Sequence, residues 1–152
     1  MSELLLKLAQ PDDLGTISKI ENECFVDPWG EQTVMQMIKS PFVKVLFSEQ
    51  DGEPSSYLVI SKSDCVEILK IAVMPKYRRC RLGTECLGYA LDEAKETPDK
   101  RIILEVRASN EGAISFYKRN GFETDGIRKG YYKNPSEDAI LMSLSINETE
   151  GR

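Results

Sequence analysis

The 152-residue sequence contains no histidine. That absence excludes every Ser-His-Asp and Cys-His mechanism, so any proton transfer falls to carboxylate, tyrosine, lysine or water. Cysteine is sparse: Cys24, Cys65, Cys80 and Cys86 show no CxxC spacing, and without imidazole a zinc site would need all of these thiolates. The expectation is therefore no metal, with free thiols in a reducing compartment. The phosphate-binding loops are missing too. Neither GxxxxGK followed by serine or threonine nor GxGxxG occurs, which removes nucleoside-triphosphatase and dinucleotide readings. No apolar run approaches the roughly 18 residues a membrane span needs. The start, MSELLLKLAQPDD, lacks the basic n-region and long apolar h-region of a secretory signal, so a cytoplasmic location without membrane association is expected. Internal repeats and low-complexity tracts are also absent.

What is present is an ordinary soluble composition, 41% apolar and 30% charged, in a chain long enough to bury one core without staples. A single domain over residues 1–147 with a polar tail at 148–152 is expected. The net charge of −5 argues against non-specific nucleic-acid binding, and a monomer or weak dimer is anticipated.

Periodicity divides the chain into alternating elements. Glu3 to Leu8 reads as a strand, and Pro11-Asp12-Asp13 opens a helix carrying Leu14, Ile17, Ile20 and Cys24 at helical spacing. A short helix at Glu31 to Lys39 stops before Pro41. Phe42 to Glu49 and Ser55 to Ser61 form a hairpin through a Gly52 loop, and Ile68 to Met74 reads as a buried strand. A helix follows from Leu82 to Ala94, with Leu82, Cys86, Ala90 and Ala94 in one row and Leu87 and Leu91 in the next. Arg101 to Arg107 is a strand, and Asn110 caps a helix that Gly121 ends in a left-handed residue. Ile127 to Tyr132 and Ala139 to Ile146 are the last strands. About seven strands and four helices in this order predict an α/β domain, a mixed central sheet with helices on both faces.

The basic turn between Ile68 to Met74 and the Leu82 helix holds Arg78, Arg79 and Arg81. First-turn N–H groups lack intrahelical partners and the helix dipole adds positive potential, so the turn is either an anion site or a solvated loop. Its order, Arg78, Arg79, Cys80, Arg81, Leu82, Gly83, resembles the pyrophosphate loop of the GCN5-related N-acetyltransferases, except that Arg81 stands where that family usually has its first glycine. A side chain there either crowds the backbone approach or pairs with phosphate.

The segment Ile103 to Phe122, ILEVRASNEGAISFYKRNGF, closely resembles the ribosomal-protein-alanine N-acetyltransferases of the same superfamily, LEVRxSNxxAxxxYxxxGF, at every fixed position. The ending GIRKGYYKNPSEDAILMSL and the stretch CFVDPWGEQT resemble substrate-side segments of protein N-terminal acetyltransferases. The resemblance implies acetyl-CoA as cosubstrate, held by backbone groups of Ile71, Ala72 and Val73, by residues 78–84 from Arg78 to Thr84, and by Asn110. It further implies Glu105 as general base, Tyr117 as general acid, and Phe25, Trp29, Tyr131 and Tyr132 as walls for a peptide's first residues.

The chemistry accounts for such roles. An α-amino group with a pKa of about 8 is mostly protonated at neutral pH, so acetylation needs a base, and a departing thiolate benefits from a phenol that keeps its proton. Residue patterns alone leave alternatives open. Glu105 and Arg107 can pair on one strand face, Tyr117 can be a core aromatic beside Ile114 and Phe116, and Asn110 can serve only as a cap. The aromatics at 25, 29, 131 and 132 can be packing residues. Glu137 and Asp138 either favour a basic peptide or form a solvated turn.

The resemblance thus implies an N-terminal acetyltransferase whose target is the N-terminal alanine of small-subunit ribosomal protein eighteen, through direct attack of the amine on the thioester. The rival readings are an acetyltransferase for small amines or lysine, and a CoA-binding protein without activity.

Overall fold

The computed structural model describes residues 6–78 and 81–146. Its sheet runs β1 (Lys7–Leu8), β2 (Val43–Gln50), β3 (Glu53–Lys62), β4 (Val66–Val73), β5 (Arg101–Arg107), β7 (Glu137–Ser145) and β6 (Glu123–Tyr132), in that spatial order. The helices are α1 (Leu14–Cys24), α2 (Glu31–Lys39), α3 (Leu82–Ala94) and α4 (Glu111–Arg119). Every strand pairing is antiparallel except β4 with β5, which the α3 crossover makes parallel. The mixed α/β architecture expected from the sequence is the one observed.

Local signals explain the ends. Asn110 Oδ1 accepts from the Ala113 N–H at 3.2 Å, and Gly121 adopts φ 95° after α4. Pro11–Asp13 forms a 3₁₀ turn rather than the first turn of α1: the Asp13 N–H donates to the Gln10 carbonyl at 2.8 Å and the Leu14 N–H to the Pro11 carbonyl, while Asp13 Oδ2 accepts the Gln10 N–H at 2.8 Å as a cap. The expected first strand shortens to Lys7–Leu8, with Glu3 to Leu5 outside the described residues. β6 begins four residues earlier than expected, at Glu123, and carries register shifts at Thr124/Gly126 and Arg128/Tyr132.

Two cores lie on opposite faces of the sheet. Cys86, Leu87, Ala90 and Ala94 of α3 and Tyr117 of α4 pack with Leu46, Leu58 and Ile102, while Ile17, Ile20 and Val34 of α1 and α2 pack with Val45, Phe47 and Tyr57. Adjacent strand residues such as Val45 and Leu46 divide between the cores, as period-two alternation requires. Leu82 departs from its expected row. As the first residue of α3 it groups with Met74 and Tyr77 in the second core.

A bulge changes the phase of β4. Val59 pairs with Lys70 and Ile60 with Ile68, so Leu69 is an extra residue and Lys70 moves to the α1 side instead of following Ile68 into the α3 core. Beyond the pairs Val66↔Ile102, Glu67↔Ile103 and Ile68↔Leu104 the parallel seam stops. β4 continues on β3 and β5 continues on β7, leaving the edges at 69–73 and 105–107 facing one another across a gap. The run Ile68 to Met74 is consequently fully buried only at Ile68 and Met74, which corrects the expectation of a buried strand.

Candidate active site

The gap opens into a groove of ≈ 700 Å³. One wall is the connection between α1 and α2 with Phe25 and Trp29; the other is Tyr131, Tyr132 and Lys133. Between the walls the lining includes Glu67, Lys70 and Ile71 of β4, Glu105 and Arg107 of β5, and Asn110 and Tyr117 of the α4 region. The groove thus gathers Phe25, Trp29, Ile71, Glu105, Asn110, Tyr117, Tyr131 and Tyr132, all singled out in the sequence. Ala72, Val73, Arg78, Arg81, Leu82, Gly83 and Thr84 do not line it and follow at the end of β4 and the start of α3. Arg79 and Cys80 lie outside the described residues.

Glu105 projects from a strand that alternates intermediate and buried residues, so its carboxylate stands on the face opposite Leu104 and Val106. Its side chain is 19% exposed, and Arg128 Nη1 of β6 lies 3.0 Å from Oε2. Arg107 takes a different partner. Its Nη1 donates to Glu137 Oε1 at 3.1 Å and to the Pro135 carbonyl at 3.0 Å, its Nη2 donates to the Lys133 carbonyl at 3.0 Å, and its guanidinium covers the Tyr132 ring at 4.5 Å. Two residues that period two places together therefore divide their work: Glu105 faces β6, and Arg107 staples the turn that carries Tyr132.

Glu137 and Asp138 are not solvated-turn acids. Glu137 Oε2 accepts the Ser109 N–H at 2.7 Å, and the Ser109 side chain first, then this N–H, then Arg107 lower the Glu137 pKa; Asp138 Oδ1 accepts the Gly130 N–H at 2.9 Å.

Tyr117 is 4% exposed and packs edge-on against Phe116 at 5.5 Å and tilted against Phe122 at 5.3 Å. Among the described residues its hydroxyl makes no hydrogen bond. Burial, then Tyr132 and Cys86, raise its pKa well above the ordinary phenol range, so it stays protonated in any workable buffer. Core packing and a place on the groove coexist in this residue. Tyr132 is pushed up to about 12 by burial and by Glu105, and Tyr131 is raised first by the Glu105 carboxylate acting on its hydroxyl.

Sequence reading missed three charged groups. Glu67, two register steps from Glu105 on the same sheet face, has its pKa raised by burial first and by the Glu105 charge second. The alternation of VEIL could have pointed to it. Glu21 and Lys70 form an ion pair of 2.7 Å between α1 and β4, a contact over 49 residues that local pattern cannot show.

The groove and its rim suit an acyl-CoA on structural grounds. Unpaired strand edges at 69–73 and 105–107 can receive an extended amide-bearing arm, and α3 begins directly beyond them. A Cβ on Gly83 would meet the Phe116 ring at 3.6 Å, an ordinary contact, so packing within the chain does not itself demand glycine there. Arg81 is the residue before α3, at φ 67° and ψ 12°. Arg81 thus carries a side chain on a left-handed backbone conformation, the kind that glycine adopts without strain. The Val73 carbonyl is engaged by Arg78 Nε at 2.9 Å. Cys24, Cys65 and Cys86 are free thiols, and among the described residues no group of His, Cys, Asp and Glu could hold a metal ion.

A mixed sheet parted at its parallel seam, with a carboxylate and a buried phenol on the groove, is an arrangement that acyl transfer can use, and the comparisons with known proteins show an acyltransferase. The chain belongs to the acetyltransferase (GNAT) family, whose profile matches residues 14–122, and acetyl-CoA is its cosubstrate. It is 33% identical over 138 residues to the ribosomal protein bS18-alanine N-acetyltransferase of Escherichia coli (strain K12), covering 89% of this chain and 93% of that one. A Bacillus subtilis (strain 168) protein that carries the same name provisionally is 35% identical over 139 residues, with 90% and 92% covered. The crystal structure of the ribosomal-protein-S18-alanine N-acetyltransferase from Escherichia coli superposes with a TM-score of 0.82 at 30% identity, covering 95% of this chain and 96% of that one.

Proposed function

We propose that this acyltransferase acetylates the α-amino group of a protein N-terminus, with an alanine-leading ribosomal protein as substrate and the cytoplasm as its place of action. The observation that carries the reading is that Glu105 and Tyr117, from different elements, open onto one groove between aromatic walls. The activities named for the Escherichia coli and Bacillus subtilis relatives support it.

Acetyl-CoA would supply the activated thioester, with its arm along the edge of Ile71, Ala72 and Val73, its pyrophosphate toward residues 78–84, and Asn110 as a further coenzyme contact. The protein's part is proton handling and placement. Glu105 receives the proton of the incoming ammonium at its carboxylate, directly or through water, so that the amine becomes nucleophilic. Tyr117 keeps a proton at its hydroxyl for the departing thiolate. Phe25 and Trp29 on one side and Tyr131 and Tyr132 on the other confine the peptide's first residue. No acyl-enzyme is required: of the nucleophile-bearing side chains on the groove among the described residues, burial raises the Cys24 thiol pKa and Lys70 is paired with Glu21 at 2.7 Å, so the amine attacks the thioester directly. Nucleic acid and membrane have no role in this reading, and a monomer or weak dimer suffices for it.

The test is an acetylation assay on alanine-leading peptides, with mass spectrometry locating the acetyl group. Acetyl on the α-amine of free peptides and none on N-blocked peptides with an internal lysine is expected. A preference for lysine side chains or small amines would overturn the assignment, and coenzyme binding without turnover on any amine would make the protein a sensor.

A further inference from the structure

Glu21 is a buried charge that acetyl transfer does not use; its side chain is 0% exposed. Three donors converge on it. Lys70 Nζ lies 2.7 Å and the Trp29 N–H 2.9 Å from Oε1, and the Tyr57 hydroxyl lies 2.6 Å from Oε2. α1, β3, β4 and the connection between α1 and α2 are thereby tied at one carboxylate. Such an anion is stable in the interior only because it is fully hydrogen-bonded and paired.

The cation of this pair has a second set of neighbours. Lys70 Nζ stands over the Phe25 ring at 4.2 Å and the Trp29 ring at 4.4 Å, with its side chain 11% exposed and Asp27 the remaining charge nearby. Two aromatic faces and a carboxylate around an ammonium form a cation cage. Here the occupant belongs to the protein itself. Phe25, Trp29 and Lys70 all line the groove, so the cage opens where the proposed peptide would enter. The bulge at Leu69 is what delivers Lys70 there, since unbroken alternation would have turned it to the other face.

A filled cage has a consequence for recognition. The rings that could attract a cationic side chain are already satisfied, and the ammonium between them repels a second cation through a poorly solvated space. Neutral first residues meet only the apolar edges of Phe25 and Trp29.

We propose that Lys70 is a specificity-determining residue: by occupying the cage of Phe25, Trp29 and Glu21 it excludes peptides whose first side chain is cationic. The proposal rests on the reading of the groove as a peptide N-terminus site. A purely structural clamp would alter stability, or slow all peptides equally, and would leave their ratio unchanged.

The experiment measures kcat/KM for alanine-, methionine- and arginine-leading peptides with wild type, Lys70→Arg, Lys70→Met and the double variant Glu21→Gln with Lys70→Met. Methionine and arginine are both long and unbranched and differ chiefly in charge. Wild type and Lys70→Arg are expected to disfavour the arginine-leading peptide against the methionine-leading one by about tenfold or more, and both neutral variants to narrow that ratio by about tenfold, the size of a partly desolvated cation–π or like-charge effect. Acetyl-CoA affinity should stay the same. The double variant removes both charges together, so it keeps the test valid if Lys70→Met leaves Glu21 unpaired and fails to fold. A ratio within about twofold of wild type in a folded, coenzyme-binding double variant would overturn the proposal. Wild type inactive on all three peptides would overturn the underlying reading, and this proposal with it.

Discussion

Arg128 reaches from β6 to Glu105 on β5, with Nη1 and Oε2 3.0 Å apart, so the proposed base carries its own counter-ion at the groove. The arginine is more than half exposed, which makes the pair weak, and an incoming ammonium can compete for the carboxylate. Glu105→Gln keeps the shape and removes the proton acceptor. A fall in kcat of about 10²–10⁴ is expected, with acetyl-CoA affinity unchanged by calorimetry. Retention of wild-type kcat would rule out Glu105 as base.

Tyr117→Phe should lower kcat while leaving the melting temperature nearly as it was, because the ring contacts with Phe116 and Phe122 survive and the hydroxyl has no hydrogen bond to lose among the described residues. Since burial raises the Tyr117 pKa above the ordinary phenol range, its proton is retained through about pH 10. The wild-type pH–rate profile should therefore show no alkaline decline assignable to this residue there. A decline that vanishes in Tyr117→Phe would contradict the raised pKa.

Glu67→Gln tests the crowded carboxylates. The folded-state pKa of Glu67 is raised, by burial first and Glu105 second, so its protonated form is favoured by folding. Stability from that shift is fully present below the ordinary carboxylate pKa and is lost as pH rises through the raised value. The variant, neutral at every pH, should be more stable than wild type at pH 7 and equal to it at low pH. Thermal unfolding across that range checks the sign.

Arg81→Gly addresses the left-handed residue before α3. A non-glycine side chain at φ 67° is disfavoured by about 1 kcal/mol, so glycine should raise the melting temperature. If the guanidinium contributes to pyrophosphate binding, the same variant binds acetyl-CoA more weakly while folding more stably. A less stable Arg81→Gly protein would mean that the side chain makes compensating contacts.

Much of this arrangement was legible in residue order. The α3 stripe apart from Leu82, the Asn110 cap and the Gly121 stop are local signals, and each formed as its chemistry requires. Glu105 and Tyr117 could be assigned roles only through resemblance, because period two offered Arg107 as a partner for the first and Phe116 as packing for the second. The Glu21, Tyr57 and Lys70 network was invisible: its contacts span 36 and 49 residues, and the bulge that turns Lys70 toward α1 leaves no mark in the apolar pattern. Glu67 was passed over because its meaning depends on which strand lies beside β4. For Glu137 and Asp138 the sequence offers a basic-peptide contact or a solvated turn and not their backbone partners, the Ser109 and Gly130 N–H groups, which lie 28 and 8 residues away.

The brief parallel seam between β4 and β5 also sets how the molecule breathes. Within the sheet, β1 to β4 and the group β5, β7 and β6 are joined at Val66↔Ile102, Glu67↔Ile103 and Ile68↔Leu104. Splaying at this join costs few ladder bonds, so the amides bordering the gap should exchange with solvent sooner than those deep in β3. A coenzyme arm laid along the free edge would act as an extra rung, damping that motion and slowing exchange on both sides of the gap.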